Sequence, residues 1–308
     1  MFVHPGNERR LVIFFEGGGA CWNSQNCDVH GQPTFDPQVD STDHPSRQGG
    51  ILDLTDARNP VRDYSIVFVP YCTADAFLGA RTVSYSVPDT TRAPPVRFQV
   101  IHSGRANARW ALAWVYAHFA NPSLVFVTGS SAGAIPTPLY ASLVARHYPR
   151  ARVVQLGDAA GGYRAPVIPE ILALWGATGA LKPDPAYRGV DSATLTFETL
   201  YQVAARTTPR VSFAQFNSAE DNVQLSFLRM LGVRDVPLAR LLAANHADIR
   251  RTHPLRTYTA PGHMHTVLLR PQFYTLAVDG IAIRDWVAGL LEGKSLSDVG
   301  QSLLADQP

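Results

Sequence analysis

A serine hydroxyl becomes a useful nucleophile only where a neighbouring base takes its proton and fixed donors receive the charge developing on the attacked carbonyl oxygen. The run Thr128-Gly129-Ser130-Ser131-Ala132-Gly133 carries the first of these parts, with Gly129, Ser131 and Gly133 in G-x-S-x-G spacing. That spacing has a steric reason. The serine stands on a strained strand-to-helix turn, and the flanking glycines let strand and helix approach without a Cβ between them. Ser131 is the expected nucleophile, because the adjacent Ser130 is out of step with the glycines. A second glycine run, Glu16-Gly17-Gly18-Gly19, follows an apolar segment near the start of the chain. Three glycines there can turn backbone N–H groups into a niche for an oxyanion, with Ala132, the residue after the nucleophile, as the partner donor.

The acid and the base are expected later in the chain, in that order. Asn217-Ser218-Ala219-Glu220-Asp221-Asn222 offers Asp221, and Pro261-Gly262-His263-Met264-His265-Thr266 offers His263 and His265. Asp158 is a competing acid after an earlier strand, with a loop or helix cap as its simpler reading. Glu220 reads as a solvated neighbour of Asp221. His263 and His265 are also half of a metal-ligand set, but no third ligand is evident beside them and no metal is expected. His102, His118 and His147 fall in or at the ends of helical windows, where a structural role is the default. Neither G-x-G-x-x-G nor G-x-x-x-x-G-K-[ST] occurs, and no cofactor is expected.

These residues need elements that bring their loops together. Apolar runs over 10–15, 65–71, 124–128, 152–156, 211–216 and 255–259 read as strands, and their unbroken character predicts cover on both faces. Helices are predicted over 105–119, with Trp110, Ala113, Trp114 and Ala117 along one face, over 132–148 after a proline-containing start, and over 281–291 before Gly293. The alternation predicts a mostly parallel central sheet flanked by helices, in one α/β domain covering 1–308. Residues 28–59, rich in Pro, Gly, Asp and Ser, read as a long surface loop. Residues 161–206 read as an insertion whose apolar content (Ile168, Ile171, Leu172, Leu174, Trp175) suits a cap or lid over a site.

Composition narrows the field of functions. Of 308 residues, 46% are hydrophobic and the net charge is +2, which excludes disorder as the main state. The balance of 27 basic and 25 acidic residues is too even for nucleic-acid binding driven by counterion release. No run approaches the ~18 apolar residues of a membrane span, since the longest candidate is broken by Gly176 and Gly179. Cys21, Cys27 and Cys72 are too few for a disulfide scaffold and lack C-x-x-C spacing. Cys21 and Cys27 could bridge a surface loop, leaving Cys72 over. The first strand begins by residue 10 with no leader visible before it. The expected location is therefore secreted or periplasmic if a leader lies upstream of this chain, and cytoplasmic otherwise.

Phe15-Glu16-Gly17-Gly18-Gly19-Ala20-Cys21-Trp22 resembles the opening signature of the pectin acetylesterase and Notum family of serine carboxylesterases. Val69-Pro70-Tyr71-Cys72-Thr73 resembles the family's next strand and loop, and Thr128 to Gly133 its nucleophile turn. The chain is identified on these segments as a bacterial-type member, which implies the α/β-hydrolase fold and hydrolysis of acyl esters through an acyl-enzyme, acetyl or another short chain being expected and removal of a longer acyl group the alternative. Carried over by position, the resemblance puts the nucleophile on Ser131 and the oxyanion donors on Gly17, Gly18 and Ala132. It puts the acid on Asp221, and the base on His265, whose following Thr266 fits the pattern better than Met264 after His263. Two departures stand out: Ala134 replaces a frequent glycine after Gly133, and most disulfide cysteines of plant and animal members are missing. The implied substrate is a small-molecule or carbohydrate ester, and the near-neutral charge gives no reason to expect a polyanion groove. Two other readings use the same residues: a hydrolase-like binding protein without catalysis, and an amidase or peptidase.

Overall fold

Leu11, Ile13 and Phe15 pack on one face of the central sheet while Val12 and Phe14 pack on the other. Both faces are covered, so alternation is lost and the segment reads as one apolar run. The computed structural model describes residues 1–87 and 96–305. In chain order the elements are β1 (Phe2–His4), β2 (Asn7–Phe15), β3 (Tyr64–Val69), β4 (Arg81–Val87), β5 (Val96–His102) and α1 (Gly104–His118). Next come β6 (Leu124–Ser130), α2 (Thr137–His147), β7 (Arg152–Asp158), α3 (Ile168–Leu174), α4 (Ala177–Leu181) and α5 (Phe197–Thr207). The chain continues with β8 (Ser212–Ser218), α6 (Asn222–Met230), α7 (Leu238–Arg250), β9 (Leu255–Ala260) and α8 (Ile283–Glu292).

The sheet order is β1-β3-β2-β6-β7-β8-β9, parallel except for the antiparallel edge strand β1. Helices α1, α2 and α5 cover one face together with the 161–196 segment, and α8 with the 267–273 turn covers the other. The register sets Gly129 beside Gly157, Ser130 beside Asp158, Asp158 beside Phe216 and Ser218 beside Ala260. The loops after β2, β6, β7, β8 and β9 therefore leave the sheet at one common edge, the carboxyl end, where open α/β sheets hold their ligands.

Two expectations are corrected and one element was not foreseen. The buried stripe of α1 is Ala108, Ala111, Leu112 and Val115, while Trp110 is 79% exposed and Ala113 and Ala117 also face outward. The residue spacing is helical either way, and only the neighbouring sheet decides which stripe turns inward. A β4–β5 hairpin lies outside the main sheet. Its alternating Val83, Tyr85 and Val87 against Val96, Phe98 and Val100 is the one pattern that could have announced it. Cys21 and Cys27 are bonded to each other, but both are fully buried rather than at the surface. They sit with Phe35, Ala74, Tyr85 and Val100 under the hairpin.

Candidate active site

Strand β6 ends at Ser130, a short 3-10 turn covers Ser131–Gly133, and α2 follows. Ser131 has φ of 53°, a left-handed conformation that an L side chain adopts only under local constraint. The glycines beside it are forced by contact. A methyl group built on Gly129 would lie 2.4 Å from the Gly133 carbonyl oxygen, and one on Gly133 would lie 2.2 Å from that of Phe15. The loop after β2 reaches the same turn: a methyl on Gly17 would come within 2.6 Å of the Ser130 carbonyl and 3.0 Å of Ser131 Cβ. Gly18, with φ of 147°, packs on the Tyr71 ring. Gly17, Gly18, Ser131 and Ala132 thus converge. At the opening of a helical turn the Ala132 N–H has no intrahelical acceptor.

Asp221 and His265 are brought together. His265 Nδ1 lies 2.8 Å from Asp221 Oδ2 and 3.0 Å from Oδ1. A carboxylate only accepts, so Nδ1 carries the proton and Nε2 is left bare, the tautomer that a general base needs. Asp221 is fully buried and caps α6, accepting from Val223 N and Gln224 N, while Gln224 Nε2 donates to its other oxygen. These donors compensate the burial of its charge. Gln224 Oε1 also accepts the Gly162 N–H, and Asn217 accepts the Gly161 N–H, tying the loop after β7 to the acid.

His263, the alternative base, is turned outward, 61% exposed and paired with the equally exposed Glu220. Asp158, the alternative acid, makes no hydrogen bond to an imidazole among the described residues. It is fully buried, receives the Ser130 hydroxyl and accepts the Val267 and Leu268 amides, so it anchors the histidine loop to β7. Burial pushes its carboxyl up to about 6, against the pull of those amides and of His265. Glu16, next to the glycines, accepts the Tyr71 N–H, and burial pushes it up to about 8.

Tyr163 is a neighbour that the sequence did not announce. Its side chain lines the same slot as Ser131, and burial, then the Asp221 charge, push its phenol far above the usual tyrosine range. It stays a neutral hydroxyl. Tyr163, Ser131 and Ala132 open onto a slot lined by Ile135, Ile168, Ile171, Trp175, Phe197 and Phe227, with an empty volume of about 430 Å³ including its mouth. Within this lining, Trp175 Nε1 donates to the Cys21 carbonyl at 2.7 Å. Only the regular spacing of Ile168, Ile171 and Trp175 hinted at this wall.

Residues 3–164, just over half of the chain, match the family described as Pectinacetylesterase. A stretch of 79 residues is 39% identical to human palmitoleoyl-protein carboxylesterase NOTUM, covering 25% of this chain and 16% of that protein. A stretch of 74 residues is 35% identical to the Danio rerio protein named inactive palmitoleoyl-protein carboxylesterase notum1b, covering 23% of this chain and 53% of that one. The chain therefore spans only a fraction of the length of the curated relatives it matches. The solved structure of the Wnt deacylase Notum from Drosophila superposes with a TM-score of 0.59 at 17% identity, covering 96% of this chain and 89% of that one, a likeness of fold. With more than half of its length matched to the family's pattern, the chain belongs to the pectinacetylesterase family.

Proposed function

We propose that this protein is a serine carboxylesterase that hydrolyses short-chain acyl esters through an acyl-enzyme. Ser131 Oγ attacks the ester carbonyl while His265 Nε2 takes its proton. The Gly17, Gly18 and Ala132 N–H groups receive the oxyanion, Asp221 orients and stabilises the imidazolium, and the alcohol leaves with the proton that His265 returns. Water, activated by the same imidazole, attacks the acyl-enzyme and releases the acid. The acyl group lies in the apolar slot, and the 161–206 segment acts as a cap whose Ile168, Ile171 and Trp175 limit chain length. Family membership supports the reaction class. The observation that carries the reading is the hydrogen-bonded pair of half-buried His265 and buried Asp221 at the same sheet edge as a strained Ser131 that faces an apolar slot.

Short acyl chains are favoured because aromatic and branched side chains close the slot. One relative is named inactive; this chain carries Ser131, Asp221 and His265, the last two hydrogen-bonded to each other, which supports catalysis over binding alone. The test is a p-nitrophenyl ester panel of increasing acyl length, run on wild type and Ser131→Ala. Wild type is expected to turn over the short esters, and the variant to fall to background with an unchanged melting temperature. Turnover retained in Ser131→Ala overturns the assignment. Failure of the wild type to react with a fluorophosphonate probe favours the non-catalytic reading, and faster cleavage of matched anilides favours an amidase.

A further inference from the structure

The two bonded cysteines have a third companion. A ring nitrogen of His102, at the end of β5, and the sulfurs of Cys21 and Cys27 all lie within 4.8 Å of one another, and all three residues are fully buried. One backbone segment holds both halves of the cluster. The Cys21 N–H donates to the Ala74 carbonyl, and His102 Nδ1 lies 3.0 Å from the adjacent Thr73 carbonyl. A carbonyl only accepts, so Nδ1 carries the hydrogen and Nε2 keeps its lone pair, with the Tyr85 hydroxyl 3.3 Å away. Metal-bound imidazoles use the same second-sphere tie, one ring N–H on a backbone carbonyl; the other nitrogen's lone pair, here accepting from the Tyr85 hydroxyl, becomes a ligand once that hydroxyl turns away.

We propose that Cys21, Cys27 and His102 form a redox-gated zinc site, in which reduction of the Cys21–Cys27 bond by a dithiol creates two thiolates that bind one Zn²⁺ together with His102 Nε2. The step balances. The dithiol becomes a disulfide, its two electrons and two protons convert the bonded sulfurs into two thiols, and zinc binding releases those protons to solvent. Two thiolates cancel the charge of the ion, so the site adds no net charge to the apolar surroundings of Phe35, Ala74 and Val100. The cysteine Cα atoms are 5.1 Å apart, close enough for both sulfurs to reach one ion at about 2.3 Å once the bond is broken. Three protein ligands leave a fourth position for water. Asn23 and Gln25 in the intervening loop are exposed, so opening the bond gives the ion a path inward. The C-x₅-C spacing did not suggest a metal because the third ligand comes from a hairpin far along the chain.

The site is independent of the esterase reading, and its test reads metal rather than activity. The full chain is stripped of metal, kept reduced with a phosphine, and titrated with Co²⁺ and then Zn²⁺. One equivalent of Co²⁺ is expected to bind, with thiolate-to-cobalt charge transfer and the intense visible bands of four-coordinate cobalt, and Zn²⁺ is expected to displace it. The oxidised chain is expected to show neither. Cys72→Ala should leave the titration unchanged. His102→Gln should weaken binding by at least about 10–100-fold, the loss typical of even outer-sphere partners. Absence of stoichiometric binding to the reduced wild type overturns the proposal, as does a charge-transfer band that persists in the Cys21→Ser/Cys27→Ser double variant. If the double variant fails to fold, the intensity of the wild-type band, which reports how many thiolates bind, decides: two uphold the site and none or one overturns it.

Discussion

Asp221 does two jobs with one carboxylate, capping α6 and holding His265, and a substitution can separate them. Asparagine keeps an oxygen for the Val223 and Gln224 amides, so Asp221→Asn should stay folded. It offers the imidazole a neutral partner that can donate as well as accept, which permits the wrong tautomer. A loss of about 10³–10⁴ in kcat with little change in KM is expected in ester kinetics. An equal loss in KM alone would argue that Asp221 serves structure only. At this scale the sequence was legible where backbone geometry dictates residue type: the glycines around Ser131 are there because a methyl would collide with the Phe15 or Gly133 carbonyl. It was illegible for Tyr163, which reaches the slot from the loop after β7, and for the tie from Gln224 to Gly162, which spans separate loops and leaves no local pattern. The choice of His265 over His263 rested on a resemblance, and what separates the two geometrically is a loop that turns one imidazole toward Asp221 and the other outward.

Elements carry the next constraints. The loop from β2 holds its glycines against Ser131 partly through Glu16, whose carboxyl accepts the Tyr71 N–H. Burial raises its pKa to about 8 from a reference of 4.5, so the folded protein holds a proton that the unfolded chain has lost between those values. That stabilisation is full below pH 4.5 and is lost as the pH rises through about 8. Glu16→Gln removes the titration, so the melting temperature of wild type should fall more steeply than that of the variant between pH 6 and 9. Parallel profiles would show that Glu16 is not held protonated. The 161–206 segment, proposed above as a cap, is an element of this kind. Trp175 is almost fully buried in the main apolar core and lines the slot, so excising 161–206 would expose that core, and a point change is the better probe. Trp175→Ala should destabilise by about 3–5 kcal/mol. It should also move the preferred acyl chain to greater length, read as kcat/KM across the ester series; an unchanged preference would place the acyl group elsewhere. The core strands were readable because burial on two faces leaves nothing but apolar residues. The β4–β5 hairpin was not, because only Tyr85 and Val100 of its apolar residues are buried.

Across the whole molecule, alternation of strand and helix was enough to predict the parallel sheet, because right-handed crossovers leave few other ways to cover both faces. The sheet order was not readable, since it depends on which strands meet rather than on what each contains. Long-range ties now stand out, such as Arg164 reaching both Glu198 on α5 and Asp248 on α7. The anchoring of the 267–268 amides by Asp158 is another, and it bears on dynamics. Those two peptide N–H groups belong to a connecting segment, where solvent deuterium ordinarily enters within seconds to minutes. Here their acceptor is a carboxylate at the end of a middle strand, sealed from water. Val267 and Leu268 should therefore exchange as slowly as strand amides, releasing their hydrogens only when the whole domain opens.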